Sequence, residues 1–303
     1  MAKIRQLYIP FMGYKTYVRI VGYNYKKTPL ILLHGGPGST HNSQELLDEL
    51  SDADERPIIM YDQLGCGKSY IGEGHTELWN SDTWVKELEN LISYLKLKEY
   101  HLLGHSWGGM LEIIYTCSGK ERVGLKSLTL SSTLASASLW ESEAKRLITY
   151  LPLKDQKIIN EAIRTNDFSS KEFNKSMMVY YHKYVWPKFT KKDPLCLRRK
   201  KVKCPEVYET SWGPCEFRPL GNLKDYEYLD KLDRINVPVN ILSGADDEST
   251  PLQNKLMYDA IKTDKRWTIL SPSRHMTYFE CHDEYIKNVI EFLNYVDKKE
   301  HND

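Results

Sequence analysis

The most informative stretch of the sequence is a five-residue pattern around a serine, Gly104-His105-Ser106-Trp107-Gly108. It follows an apolar, strand-like run and precedes a helical run that begins near Gly109. A serine at such a sharp strand-to-helix turn has a strained backbone that exposes its hydroxyl, and flanking glycines avoid clashes with the neighbouring strand and helix. This context predicts that Ser106 is the nucleophile of an acyl-transfer reaction.

A serine hydroxyl becomes nucleophilic when an imidazole takes its proton, and that imidazole needs a carboxylate to hold its tautomer. Where a serine stands on such a turn, the acid follows a late strand and the histidine follows the last strand. His275 comes a short loop after the last strand-like run, whereas His282 falls at the start of the final helix and is interpreted as a cap or surface residue. Asp246 and Asp247 both follow the preceding run, and the residues alone leave this choice open.

The same chemistry needs hydrogen-bond donors for the oxyanion that forms at the attacked carbonyl. The first predicted donor is the backbone N–H of Trp107, directly after the serine. The second is expected from the early loop His34-Gly35-Gly36-Pro37-Gly38, which follows a buried strand. Gly36 suits this role because glycine lets the backbone approach a substrate closely. Such a reaction requires no cofactor and no metal ion.

The elements that must position these residues alternate between strand-like and helix-like patterns. Apolar residues at every second position of 14–21 predict an antiparallel strand at the edge of a sheet. Short apolar runs bounded by turns predict buried strands over 29–33, 57–61, 100–103, 125–130, 237–242 and 267–270. Helical spacing predicts helices over 83–97, after Pro251 and over 285–296. This order indicates an α/β fold with a mostly parallel central sheet flanked by helices.

Residues 135–225 interrupt the alternation, since they are rich in lysine, tyrosine and tryptophan and lack strand-like patterns. We interpret them as an inserted, mainly helical cap between a first core part, 1–134, and a second core part, 226–303. The basic run from Lys188 to Lys203 is interpreted as a solvated face, with anion or nucleic-acid binding as the less favoured alternative. Four aromatic residues predict either an apolar pocket for a substrate side chain or the core of the cap itself: Trp140, Trp186, Tyr208 and Trp212.

Composition limits the partners and the compartment. Lysine and arginine together number 42 against 41 aspartates and glutamates, so no global field would hold nucleic acid or an anionic membrane. No segment predicts a signal peptide or a transmembrane helix, and the expected location is the cytoplasm. The six cysteines lack metal-binding spacing and are expected to be reduced, with no metal site.

Three motifs together resemble the proline iminopeptidase family of α/β-hydrolases: HGGPG at 34–38, DQLGCGKS at 62–69 and GHSWGG at 104–109. The likeness continues in GPCEF at 213–217 and in the segment 244–251. These later motifs are similar to those of the archaeal tricorn-interacting aminopeptidase and its bacterial relatives. The resemblance therefore covers nearly the whole chain, although it is weak in the cap.

The resemblance implies the α/β-hydrolase fold and a particular set of site residues. It selects Asp247 as the acid that completes a triad with Ser106 and His275. It also implies that Glu216, in the cap, and Glu248, beside the triad acid, hold the free α-ammonium of the substrate. This role is physically sensible because a buried cationic amine needs carboxylate partners.

We therefore expect a serine aminopeptidase that releases N-terminal residues, proline and other apolar residues, from short peptides through an acyl-enzyme. An amino-acid amidase or esterase of the same fold is an alternative that would not depend on the two glutamates. A non-catalytic ligand-binding protein of the same fold is a third, but it would not need a complete triad. Two interpretations of Cys66 also stay open: a thiol near the active site, or a small packed residue.

The expected partners are short peptides with a free N-terminus, and neither nucleic acid nor a membrane is expected. The likeness to the tricorn-interacting aminopeptidase adds association with a larger peptide-producing protease as a further prediction. A cap over the site implies short substrates, because a folded protein could not enter.

Overall fold

A computed structural model describes residues 1–300, with Glu300 described by its backbone alone. At its centre lies one eight-stranded sheet with the spatial order β1-β2-β4-β3-β5-β6-β7-β8. The strands are β1 Ile4–Phe11, β2 Tyr14–Val21, β3 Leu30–Leu33, β4 Ile58–Asp62, β5 Tyr100–His105, β6 Leu125–Ser131, β7 Val239–Gly244 and β8 Lys265–Leu270. Strand β2 pairs antiparallel with β1 and β4, and the other neighbours are parallel. The predicted mostly parallel sheet is confirmed.

The edge of the sheet differs from the prediction. The strand expected over 14–21 is present as β2 and is antiparallel, but β1 covers its outer side. Strand β1 has no clear alternating pattern because most of its side chains are exposed or half-buried, with only Ile9 and Phe11 buried. Pro10 lies within it, and an outer strand tolerates a residue that has no N–H to donate.

The part of the chain that the structure describes contains eleven α-helices. They are α1 Glu49–Asp54, α2 Ser81–Tyr94, α3 Trp107–Cys117, α4 Ala137–Ile148, α5 Leu153–Thr165, α6 Lys171–Tyr184, α7 Leu195–Arg198, α8 Pro205–Ser211, α9 Pro251–Ala260, α10 Thr277–Glu280 and α11 His282–Glu300. Short 3-10 helices cover His41–Asp48, Gly67–Ser69, Thr76–Leu78 and Leu229–Arg234. None of the helices in residues 1–300 has the length and apolar character needed to span a membrane.

Alternate side chains of the buried strands serve two different cores. In β3, Ile31 and Leu33 pack in a cluster with α2 and α3, whereas Leu30 and Leu32 pack in a cluster with α11. Both faces of the sheet are therefore covered, which explains the continuous apolar runs in the sequence. Helices α4–α8 lie between β6 and β7, and a third cluster is confined to residues 144–217. The boundaries of the insertion at 135 and 225 stay a prediction.

An ionic cluster ties the last helix to the sheet. The guanidinium of Arg56, which is fully buried, donates hydrogen bonds to Asp54 Oδ2 at 2.7 Å and to Asp297 Oδ2 at 2.6 Å. His101 Nε2 lies 3.1 Å from the other oxygen of Asp297. Burial disfavours the charged carboxylate, but the bonds from His101 and Arg56 outweigh this and lower the pKa of Asp297 to about 2. Asp297 therefore stabilises the folded state as a carboxylate.

Replacing Asp297 with asparagine is expected to reduce the free energy of unfolding by about 2 kcal/mol at pH 7, because hydrogen bonds to a charged group are lost. Since the folded pKa lies below the unfolded value, this stabilisation is complete above about pH 4 and is lost as the pH falls towards about 2. Urea unfolding of both proteins from pH 7 to pH 3 measures the difference. Asp225→Asn, at an exposed residue, is the control, and a pH-independent difference would contradict the assignment.

Candidate active site

The loops after β7 and β8 bring an aspartate and a histidine together. His275 Nδ1 lies 2.7 Å from Asp247 Oδ1, and both side chains are buried. Asp247 also accepts hydrogen bonds from the backbone N–H of Ser249 at 2.8 Å and of Gly244 at 3.3 Å. Asp246 is exposed. Of the two adjacent candidates, Asp247 is therefore the one beside the histidine.

Ser106 stands on a strained turn between β5 and α3. Its backbone has φ 56° and ψ −121°, a conformation that non-glycine residues rarely adopt. The turn is held by hydrogen bonds from Ser106 N–H to Ser131 O at 2.9 Å and from Thr133 Oγ1 to Ser106 O at 2.7 Å. A Cβ on Gly108 would lie 2.1 Å from Leu33 O, so only glycine lets α3 approach β3 this closely. The predicted local geometry is present.

His275 is held both through its imidazole and through its backbone. Because Asp247 accepts a hydrogen bond from Nδ1–H, Nε2 is left as the proton acceptor, as a general base for Ser106 requires. Burial lowers the pKa of His105 to about 3, and its neutral ring donates from Nε2 to His275 O at 2.9 Å. Ser106 and His275 line the same cavity, but no hydrogen bond joins them within residues 1–300. Catalytic hydrogen bonds are often long without substrate and shorten when it binds.

The two predicted oxyanion donors lie on segments that adjoin the serine. Trp107 is the first residue of α3, so its N–H has no acceptor within the helix. A Cβ built on Gly35 would lie 3.3 Å from Ser106 Cβ, which places the early glycine loop against Ser106. Gly36 has φ 123°, and a Cβ there would lie 2.6 Å from Gly38 N. Glycine is thus required at Gly36 for the shape of this loop.

Gln63 links the two segments that carry these donors. Its backbone N–H donates to His34 Nε2 at 3.1 Å, and its side-chain Oε1 accepts from Trp107 Nε1 at 2.8 Å. His34 in turn bonds through Nδ1 to Gly35 O at 2.8 Å, and burial lowers its pKa to about 4, which keeps it neutral. No role was predicted for Gln63 from the sequence, although its position in the DQLGCGKS motif could have indicated one.

The two glutamates named by the resemblance face the same cavity as the serine. Glu216 Oε2 accepts a hydrogen bond from the Tyr208 hydroxyl at 2.7 Å. Glu248 is 2% exposed, its Oε1 lies 4.0 Å from His275 Nε2, and its Oε2 has no hydrogen-bond partner within residues 1–300. Burial raises the pKa of both carboxyl groups, and for Glu248 the charges of Glu216 and Asp247 raise it further. Such a site favours a cationic ligand.

The aromatic residues of the insertion divide into two groups. Trp186 and Tyr208 line the cavity, as one interpretation of the sequence expected. Trp140 and Trp212 are buried and do not line it; their indole N–H groups donate to Glu216 O at 3.0 and 3.2 Å. These two tryptophans therefore position Glu216 through its backbone.

The cavity has a volume of about 520 Å³, which is in the range of small-molecule sites. Its lining includes five of the predicted site residues: Gly36, Ser106, Glu216, Glu248 and His275. Asp247 lies behind His275, and Trp107 is the first residue of α3, directly after Ser106. No group of three or more potential metal ligands occurs in the described part of the chain.

Comparison with known proteins places this chain among enzymes of the same architecture. A family model described as alpha/beta hydrolase fold matches residues 28–280. The proline iminopeptidase of Lactobacillus helveticus (strain DPC 4571) is 50% identical over 290 residues, which cover 96% of this chain and 98% of that protein. The chain belongs to the proline iminopeptidase family of α/β-hydrolases. The family expected from the motifs is therefore confirmed.

Solved structures with the same fold include a proline iminopeptidase. The crystal structure of a Mycobacterium smegmatis proline iminopeptidase has a TM-score of 0.85 and 28% identity, covering 97% of this chain and 99% of that one. The crystal structure of VinJ has a TM-score of 0.87 and 30% identity, and the match covers 96% of this chain and 99% of that one. The fold is thus shared over nearly the full length of each chain.

In this family member, Cys66 is a packed residue. It is 1% exposed, does not line the cavity, and its thiol donates to Gln63 O at 3.0 Å. Burial and the nearby Asp62 and Glu87 raise the pKa of the thiol well above its usual range. Because the thiolate is the reactive form, the structure favours the packing interpretation.

Iodoacetamide at pH 8 is therefore expected to label the partly exposed Cys196 and Cys281 well before Cys66, while activity is retained. Peptide mapping by mass spectrometry against time, with activity measured in the same samples, tests this order. Cys66→Ala is the control, and its activity should respond to iodoacetamide in the same way as that of the parent protein. Early labelling of Cys66 with parallel loss of activity would contradict it.

Proposed function

We propose that this protein is a serine aminopeptidase that releases N-terminal proline, and other apolar residues, from short peptides. The observation that carries the proposal is the pair of carboxylates, Glu216 and Glu248, which face the same cavity as Ser106. A general esterase or amidase would have no use for two acidic side chains at the substrate site, one buried and one half-buried, where their desolvation and repulsion are unfavourable.

In the proposed reaction, Ser106 Oγ attacks the carbonyl carbon of the first peptide bond while His275 Nε2 takes the hydroxyl proton. The backbone N–H groups of Gly36 and Trp107 stabilise the oxyanion, and Asp247 stabilises the imidazolium. The C–N bond breaks as His275 passes the proton to the leaving amine. Water, activated by the same imidazole, then hydrolyses the ester on Ser106 and releases the amino acid.

The two glutamates would decide which peptide bond is cut. An N-terminal proline at neutral pH carries a secondary ammonium with two N–H donors, one for each of Glu216 and Glu248. Binding it offsets the repulsion between the carboxylates and satisfies Glu248 Oε2. Because the ammonium lies a fixed distance from the first carbonyl, only that carbonyl reaches Ser106, and the enzyme removes one residue at a time.

Residues 135–225 would act as the cap that limits substrate size. They supply Trp186 and Tyr208 to the cavity wall, and Tyr208 also bonds Glu216. A cavity of about 520 Å³ accepts a short peptide but not a folded chain. We further propose that the protein acts in the cytoplasm and associates with a larger protease that produces its peptides. Neither proposal involves a residue of the active site.

The test is release of a fluorescent amine from free prolyl, alanyl and phenylalanyl conjugates and from their N-acetylated counterparts, with Ser106→Ala as the blank. We expect cleavage of the free forms only, with the prolyl conjugate fastest. Equal cleavage of the acetylated forms would overturn the ammonium site and favour an amidase or esterase. No cleavage of any conjugate would favour the ligand-binding alternative.

A further inference from the structure

The basic run at 188–203 is not solvated along its whole length. Most of it is exposed as expected, but Lys201 is half-buried and lines the cavity together with Lys203. Lys200 is exposed and lies outside the cavity lining, and Arg199 pairs with Glu45. Within residues 1–300, neither Lys201 nor Lys203 makes a side-chain hydrogen bond or an ion pair.

The segment that carries these lysines is held against the glycine loop of the oxyanion site. Gly67 N–H donates to Val202 O at 3.0 Å, which fixes the backbone between the two lysines. A Cβ on Gly38 would lie 3.7 Å from Cys204 O, so the next residues of the segment contact that loop. Burial, and then the charge of Lys203, lower the pKa of Lys201. Two ammonium groups thus stand at the cavity, that of the half-buried Lys201 and that of the exposed Lys203.

The cavity carries both acidic and basic side chains. Glu248 Oε1 lies 4.0 Å from His275 Nε2, and Glu216 lines the same cavity. Lys201 and Lys203 also line it, and they precede Cys204, whose carbonyl oxygen approaches Gly38 of the glycine loop. Glu248 therefore lies near the histidine, whereas the lysines are carried by a segment that contacts the glycine loop.

This arrangement matches a short zwitterion. We propose that Lys201, assisted by Lys203, binds the C-terminal carboxylate of the substrate, so that the enzyme prefers dipeptides and tripeptides with a free C-terminus. The inference rests on the proposed function, because it assumes that the ammonium lies at Glu216 and Glu248. A peptide of two or three residues spans roughly 7–11 Å when extended, which suits a cavity of about 520 Å³.

The experiment compares kcat/KM for Pro-Phe and Pro-Gly-Phe with that for their C-terminal amides, with released proline as the readout. We expect the parent enzyme to prefer the free acids by about tenfold, the effect of one charge-assisted hydrogen bond. Lys201→Gln should remove this preference, mainly by raising KM for the acids, while the amides change little. Lys200→Gln, the exposed neighbour outside the cavity, should keep the full preference.

Two results would overturn the inference. One is equal kcat/KM for acids and amides in the parent enzyme; the other is an equal loss for both in Lys201→Gln, which would indicate a structural role. A prolyl conjugate of a fluorescent amine, which has no carboxylate, keeps the two proposals apart. Its cleavage by the parent enzyme with no acid preference would overturn only the carboxylate site, whereas failure to cleave it or any peptide would overturn the proposed function and this inference with it.

Discussion

Ser106→Ala is expected to lower kcat for a free prolyl substrate by about 10⁵-fold or more, with little change in substrate binding. The strained turn places this hydroxyl at the cavity that His275 also lines, where it would form the acyl-enzyme with His275 acting as base. Residual turnover would come from the oxyanion donors and from substrate positioning. The measurement is steady-state release of a fluorescent amine from the prolyl conjugate.

The matched control for this substitution is Ser93→Ala, at an exposed serine of α2. It should leave kcat unchanged, and both variants should unfold at the same temperature as the parent protein within a few degrees. A Ser106→Ala protein that is folded and retains more than about a thousandth of the parent kcat would contradict the assignment of the nucleophile.

The second large effect is expected for Glu248→Gln, which should lower kcat/KM for substrates with a free N-terminus by about 10²- to 10³-fold. Removing one member of a buried charge pair typically costs a few kcal/mol, because the remaining charge loses its partner. Glutamine keeps the size of the side chain but has no negative charge. Its amide N–H groups cannot bond to the ammonium, which is also a hydrogen-bond donor. The measurement is kcat/KM for free prolyl and N-acetylprolyl conjugates of the same amine.

Glu209→Gln is the control, since Glu209 is exposed on α8, close in sequence to Glu216. It should behave as the parent protein towards every substrate. If Glu248→Gln leaves kcat/KM for the free prolyl conjugate within about threefold of the parent value, the carboxylate does not bind the ammonium. Any slow cleavage of the acetylated conjugate should not fall in this variant, because that substrate has no charge to place there.

The parts of the fold that follow local rules were predicted well from the sequence. All six strands predicted as buried lie within two residues of their predicted bounds. Five of them are buried, because continuous apolar runs between turns arise where both faces of a strand are covered. The sixth, β8, was wrongly predicted as buried, since it lies at the edge of the sheet and only Leu270 in it is buried. Ser106 was recognised for a similar reason, since the strained turn requires glycines at fixed spacing. Strand β1 was missed because an outer strand buries too few residues to show an alternating pattern.

The residues of the site were predicted unequally. His275 followed from its position after the last strand, but the choice between Asp246 and Asp247 needed the family resemblance. The structure supplies the physical reason, since backbone N–H groups on its own loop hold Asp247 towards the histidine while Asp246 is exposed. Adjacent residues look equivalent in a sequence, although their side chains point in different directions.

By itself, the sequence determined the order of the core strands apart from β1, and it predicted the nucleophile, its histidine and the chemistry these residues would perform. Only the tertiary structure decided that Trp140 and Trp212 hold the backbone of Glu216, that Gln63 joins the two oxyanion segments, and that Lys201 turns into the cavity. The physical reason is the range of the interactions. Strand patterns and strained turns depend on neighbours within a few residues, whereas these contacts join segments far apart in the chain, and no local pattern of residue types encodes which of them meet.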